Sequence, residues 1–153
     1  MNMLNDSFRF TPHITLEFKI EEKDFFIAGE SASRVKKTLQ QLGIRQDIIK
    51  RTAIVIYEAA MNVAIHAIHG VLKVYVDPEV ISVIAEDEGP GLENIELAMK
   101  EGYSTAPQEI LEMGFGAGMG LPNIKQCSDE LEIDTKVGVG TTLKAKIYVN
   151  KNQ

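Results

Sequence analysis

The chain has 153 residues, 44% of them hydrophobic and 25% charged, with 16 Lys and Arg against 22 Asp and Glu for a net charge of −6. That length suits a single domain with a core of its own, expected to span residues 1–153, and the composition excludes a disordered or collagenous chain. The acidic balance argues against holding nucleic acid by bulk charge, because phosphate contacts need a surplus of Lys and Arg.

Cys127 is the one cysteine, so no intramolecular disulfide and no zinc site built on cysteine pairs is expected. A small half-buried thiol on a helix is the plain reading of it. Residues 1–12 carry Asp6 and Arg9 and lack an apolar run, which reads as an N-terminal extension rather than a signal peptide. The densest apolar stretch, Ala53-Ile54-Val55-Ile56-Tyr57, falls far short of the ~20 residues that cross a bilayer. A cytoplasmic chain without a membrane segment is the expectation.

From Pro12 to Ile20 the sequence alternates, with Ile14, Leu16, Phe18 and Ile20 on one side and Thr15, Glu17 and Lys19 on the other. This predicts a strand with one buried face. Ser31 to Leu42 predicts a helix closed by Gly43, with Val35, Leu39 and Leu42 at helical spacing. Asp47 to about Ile68 predicts a long helix whose apolar stripe is Ile49, Ala53, Ile56, Ala60, Val63 and Ala67. A hairpin follows, Leu72–Val76 and Val80–Asp87, turning at Asp77-Pro78-Glu79. A short helix is expected over about Glu93–Lys100, and another from Leu121 with Pro122 in its first turn. Two strands close the chain, Leu131–Thr135 and Thr141–Val149. Strands with one polar face and a forced hairpin disfavour a doubly wound parallel sheet. The fold class is therefore α/β: a two-layer α/β sandwich with a mixed, mostly antiparallel sheet of about five strands and helices on one face.

Four segments point to chemistry. Glu58, Asn62 and His66 stand four residues apart and share one side of the long helix, where a solvated face is the plain alternative. His66 alone is a weak signal, better explained by packing. Counting back by twos from Asp87 gives Ala85, Val83 and Ile81, so its carboxylate shares the inward face at a strand end. There it can accept hydrogen bonds from a ligand amine, while Gly89 and Gly91 let backbone approach a flat ring; a simple turn is the alternative. Gly114, Gly116, Gly118 and Gly120 alternate through Met119 into a helix start at Leu121, offering N–H groups and a helix dipole to a polyphosphate. The spacing is neither that of a P-loop nor of a dinucleotide fingerprint. In Gly138-Val139-Gly140-Thr141-Thr142 the same parity turns the hydroxyl of Thr141 inward, alongside Asp87.

In this order and spacing the four segments resemble the Bergerat ATP-binding fold of the GHKL superfamily of ATPases and kinases. Glu58-x-x-x-Asn62 is similar to the N box, Asp87-x-Gly89-x-Gly91 to the G1 box, Gly114–Leu121 to the G2 box and Gly138-x-Gly140-Thr141 to the last box. Within the superfamily the chain most resembles the anti-sigma-factor serine/threonine kinases. Glu101-Gly102-Tyr103-Ser104-Thr105 and Gly118-Met119-Gly120-Leu121-Pro122-Asn123-Ile124 look closest to the stressosome switch-kinase branch.

The resemblance implies ATP and Mg²⁺ as cofactors. Asp87 would bind the adenine amino group, directly and through a water that Thr141 helps to hold. Asn62 would be the Mg²⁺ ligand and Glu58 the general base. Gly116, Gly118 and Gly120 would lie along the phosphates, within a mobile lid at about 102–118. A histidine kinase would need a phospho-accepting helical segment and a topoisomerase a transducer domain, so a stand-alone module acting on another protein is expected. The implied activity is phosphorylation of a small STAS-type antagonist protein with a switch between binding partners, a sigma factor or a phosphatase being the second. The alternative is a non-catalytic ATP-gated binding switch, and a third reading is an ATPase without a protein substrate. Some branches of the family form homodimers.

Overall fold

The structure, a computed structural model, describes residues 14–100, 108 and 120–149. Strand β1 (Ile14–Glu21) is followed by helices α1 (Phe26–Gln41) and α2 (Gln46–His66), then by the hairpin β2 (His69–Val76) and β3 (Val80–Glu88). A short α3 (Ile95–Ala98) and α4 (Gly120–Cys127) lead to the closing hairpin β4 (Glu130–Lys136) and β5 (Gly140–Tyr148). The strands form one sheet in the order β1-β2-β3-β5-β4. The expected two-layer α/β sandwich is present, but every ladder is antiparallel, which corrects the mixed sheet. The hairpin returns β5 into the middle of the sheet, so β4 runs the same way as β3 yet never touches it. No helix of the described residues is long and apolar enough to cross a membrane.

Period-two alternation sorts the sheet into two faces. Phe18, Leu72, Ala85 and Leu143 lie in one inward cross-strand row and are all buried; Leu16, Val74, Val83 and Ala145 form the next. Opposite charges face each other across strands on the wet face, as Glu17 with Lys73 and Glu132 with Lys144. Such pairs favour the observed register, since a slip of one residue would exchange the two faces. Toward one end of the sheet the inward row turns polar, running Ile20, Gly70, Asp87, Thr141, Thr135. That polar row is where the site begins.

Helix α1 starts at Phe26, five residues before the expected Ser31. Gly29 is a poor helix former, but Ala28 is fully buried and Ile27 packs on the core, and that burial outweighs the local penalty. The buried Ser31 is no N-cap: its hydroxyl donates to the Ala28 carbonyl at 3.1 Å. The helix ends as expected at Gly43, with φ +74, through bonds from Gly43 N to Gln40 O and from Ile44 N to Leu39 O.

Helix α2 buries more than the expected stripe. Ile48, Thr52, Val55, Ala59, Met61 and Ala64 are buried besides the stripe, whereas Ala53 is half-buried. The reason is that α1 and α4 pack on it as well as the sheet. It ends at His66 rather than Ile68, because Ala67 is extended and Ile68 N already bonds to Glu88 O of β3 at 2.8 Å. Helix α3 is half the expected length, capped by the Asn94 side chain on Leu97 N at 3.0 Å. The expected extension over 1–12 and lid over about 102–118 (Gln108 apart), with Gly114, Gly116, Gly118 and Met119, lie outside the described residues.

Candidate functional site

Glu58 is half-buried on α2, and its Oε2 accepts a hydrogen bond from Asn123 Nδ2 on α4 at 2.9 Å. Gly120, the first residue of α4, lies beside the same carboxylate: a Cβ there would stand 3.6 Å from Glu58 Oε1. The positive end of α4 therefore meets a negative charge, a favourable arrangement, and Leu121 and Ile124 of the same helix are buried in the core. The glycine-rich segment thus ends against the helix that carries Glu58 and Asn62. Asn62 is half-buried, and its amide makes no hydrogen bond among the described residues.

Asp87 occupies the inward row as its parity requires. Its Oδ1 accepts the Thr141 N–H at 3.1 Å, and its Oδ2 has no hydrogen-bond partner among the described residues. Burial pushes its carboxyl above the ordinary 3.8, with the Thr141 N–H pulling the other way. Thr141 is buried, and its Oγ1 lies 2.9 Å from Oγ1 of Thr135 on β4. Thr135 also accepts the Leu92 N–H at 2.9 Å and lies 3.3 Å from the Gly140 carbonyl.

Gly70 ties the two halves together. A side chain there would come within 2.7 Å of Val63 Cγ1 and 3.1 Å of Asp87 Cβ, so α2 descends onto the sheet beside Asp87. Glu58 and Val63 are five residues apart, about 7.5 Å along the helix, with Asn62 between them. Val63, one residue beyond Asn62 and five beyond Glu58, is thus the point at which α2 approaches Asp87.

The glycines of the two turns have packing reasons of their own. A Cβ on Gly89 would lie 3.0 Å from Ala67 Cα, and one on Gly91 would lie 2.5 Å from Lys136 O, where φ is also +74. Gly89 N donates to Val139 O at 3.0 Å and Gly138 N to Pro90 O at 2.9 Å, joining the turn after β3 to the β4–β5 turn. Gly140 allows β5 to cross Asp87, whose carbonyl oxygen a Cβ would overlap.

His66 is half-buried in the last turn of α2, and burial pushes its imidazole below 6.5, consistent with packing. Burial likewise pushes the Cys127 thiol up, the Arg51 guanidinium acting in the opposite sense, as fits an inert thiol. Among the described residues no three His, Cys, Asp or Glu side chains cluster as a metal site. Mg²⁺ held largely by phosphate oxygens and water needs only one or two protein oxygens, and the amide oxygen of Asn62 is of that kind.

Sequence reasoning assigned no role to Asn123, Thr135 or Gly70. Thr135 was within reach, since parity along β4 puts it on the face of Leu131 and Ile133. Asn123 and Gly70 act through tertiary contacts that carry no local signal.

The sequence matches the histidine kinase-like ATPase domain family over residues 29–147. It is 30% identical to the anti-sigma F factor of Geobacillus sp. (strain WCH70) over 133 residues, covering 82% of this chain and 88% of that one. It is 37% identical to the serine/threonine-protein kinase RsbT of Bacillus subtilis (strain 168) over 65 residues, 42% of this chain and 43% of that kinase. The fold is similar to that of a chain in the crystal structure of the SiaB-SiaC complex from Pseudomonas aeruginosa, with a TM-score of 0.61, 15% identity and 95% coverage of both chains. With the Glu58, Asp87 and Thr141 segments all inside the matched span, the chain belongs to the histidine kinase-like ATPase domain family.

Proposed function

We propose that the protein is an ATP- and Mg²⁺-dependent protein serine/threonine kinase that phosphorylates a small STAS-type antagonist protein and switches between binding partners. The observation that supports this reading is that α2, which carries Glu58 and Asn62, comes down beside Asp87 at Val63, while Asn123 and Gly120 of α4 lie at Glu58. The names of the relatives, an anti-sigma factor and a serine/threonine kinase, support protein phosphorylation on Ser or Thr in a regulatory setting.

In this reading Asp87 accepts a hydrogen bond from the adenine amino group through its free oxygen, and a water held by Thr141 completes the recognition. Gly114, Gly116, Gly118 and Gly120, with Met119 and Leu121 in the same sequence segment, would serve the phosphates. Asn62 would hold Mg²⁺ through its amide oxygen, and the ion would offset the charge of the phosphates. Glu58 takes the proton of the substrate Ser or Thr hydroxyl as that oxygen bonds to the γ-phosphorus, and ADP leaves with the electrons of the broken P–O bond. Asn123 keeps the Glu58 carboxylate turned toward the start of α4, where the phosphates are expected.

The test is transfer of labelled γ-phosphate from ATP to a candidate STAS protein. Wild type transfers label, while Glu58→Ala binds ATP and fails to transfer; equal transfer by both refutes the role of Glu58. One observation favours a second reading, an ATP-gated binding switch without catalysis: Glu58 Oε2 is already engaged by Asn123. A pull-down of a sigma factor or phosphatase with and without ATP separates the two, because a pure switch changes partners while leaving the nucleotide intact.

A further inference from the structure

We propose that the outer edge of β4, with the groove beside it, docks an extended segment of a partner protein in which basic and apolar residues alternate. Among the described residues β4 has a neighbour, β5, on one side only. The main-chain N–H and C=O of every second residue along Glu130–Lys136 therefore point away from the ladder, as a template for an added strand. Beside that edge lies a groove of about 400 Å³. Ile95 and Met99, from α3 and its C-cap, and Leu131 and Ile133 of β4 supply its apolar lining, with Lys125 and Ser128 next to them. Leu131 and Ile133 are half-buried, whereas Ala145 and Leu143, their partners on β5, are buried. The apolar row of the sheet thus stays uncovered at its last strand.

Charge selects the occupant. Glu130, Glu132 and Asp134 stand exposed on the wet face of β4. From β5, Lys146 and Lys144 oppose the first two, while Ala145 and Leu143 oppose Leu131 and Ile133. The strand that β4 already accepts therefore sets bases against the carboxylates and apolar side chains against the inward row. A partner segment of the same kind repeats that pattern on the outer side and covers the groove. A second copy of β4 does not. In the register of full overlap, centred on Ile133, Glu132 of each strand would meet Asp134 of the other. A shift of two residues either way sets Glu132 or Asp134 against itself, and like charges directly opposite are destabilising. The edge is also separate from the proposed nucleotide site. Asn123 reaches Glu58, whereas Lys125, about 200° further round α4, lines the groove, so the helix stands between the two.

The probe is a synthetic peptide of about nine residues, the length of an ordinary strand, alternating lysine with valine. Two controls accompany it: the same peptide with glutamate for lysine, and a basic copy N-methylated at two adjacent central residues, which blocks both of its edges. Binding is followed by titration of the full chain and by its amide NMR signals. The basic peptide is expected to saturate and to shift the signals of residues 130–136, leaving those of the opposite edge strand, residues 14–21, in place. Both controls should bind at least about tenfold more weakly. Glu130→Lys with Glu132→Lys turns two attractive cross-strand pairs into repulsive ones and should weaken the basic peptide by about tenfold. Should that double variant melt below the assay temperature, Asp134→Lys, whose partner on β5 is the uncharged Thr142, should weaken it by about threefold. Mg-ATP should leave the affinity for the peptide unchanged. Equal binding of either control, shifts confined to other residues, competition by Mg-ATP, or wild-type affinity in the charge-reversed variants overturns the proposal. So does an absence of binding, the result if the chain's own residues between Lys100 and Gly120 or a second copy fill the groove, which sedimentation tells apart. A protein that takes the peptide and fails to bind ATP leaves this proposal standing and overturns the nucleotide site alone.

Discussion

Replacing Asp87 by Asn alters one oxygen on the inward row, yet it separates what the carboxylate does for the fold from what it does for a ligand. The amide oxygen of the substituted side chain can accept the Thr141 N–H that Oδ1 accepts now at 3.1 Å, so the contact between β3 and β5 survives. The other oxygen becomes an NH₂ group and would face the adenine amino group donor to donor. Losing a hydrogen bond to a charged acceptor costs about 1.5–3 kcal/mol, which is roughly 10- to 150-fold in ATP affinity. Stability moves the other way. Burial raises the Asp87 carboxyl above 3.8 in the folded protein, so its charged form is penalised. The folded state is favoured by this group below 3.8 and loses that contribution as pH rises through the raised value. Asp87→Asn removes the titration, so its melting temperature should equal or exceed that of wild type at pH 7 and gain nothing in acid. Calorimetry with Mg-ATP and melting curves at both pH values check this. An ATP affinity within about twofold of wild type refutes the base-binding role, and a fall in melting temperature at pH 7 refutes the burial reasoning.

The remaining predictions concern the supports of the site. Asn123→Leu removes the donor to Glu58 Oε2 and should slow phosphoryl transfer by about tenfold while leaving ATP affinity near wild type, as read from initial rates and calorimetry. Gly140→Ala drives a methyl group onto the Asp87 carbonyl and should destabilise the protein by about 3 kcal/mol, lowering the melting temperature by roughly 6–12 °C. Arg51→Met cuts the bonds to Cys127 O at 3.0 Å and to Asp129 Oδ2 at 3.2 Å. The Asp129 side chain is 8% exposed and keeps the Tyr148 N–H, so a loss of about 2 kcal/mol and 4–8 °C is expected in melting curves.

Parity carried much of the site in the sequence. The alternation before Asp87 and after Thr141 put both side chains on the inward face, and the register pairs them directly. The spacing of Glu58 and Asn62 was equally readable, because both stand on one uninterrupted helix. Features that depend on two distant segments were not legible. Asn123 reaches Glu58 across 65 positions, and nothing near either residue signals the other. Gly89 and Gly91 read as room for a ligand, whereas Ala67 and Lys136 of the protein lie against the places their side chains would take. The start of α1 was misplaced for a related reason: Gly29 has a poor local propensity, but burial of Ala28 against the core decides. The absence of a parallel ladder follows from where β5 inserts, a property of the whole sheet.

The two turns at the base end are joined by main-chain bonds, Gly89 N to Val139 O and Gly138 N to Pro90 O. Main-chain bonds do not depend on side-chain identity, and Val137 and Val139 are 60% and 56% exposed. Substitutions at those two valines can therefore change the chemistry of that rim without disturbing the main-chain bonds beneath it.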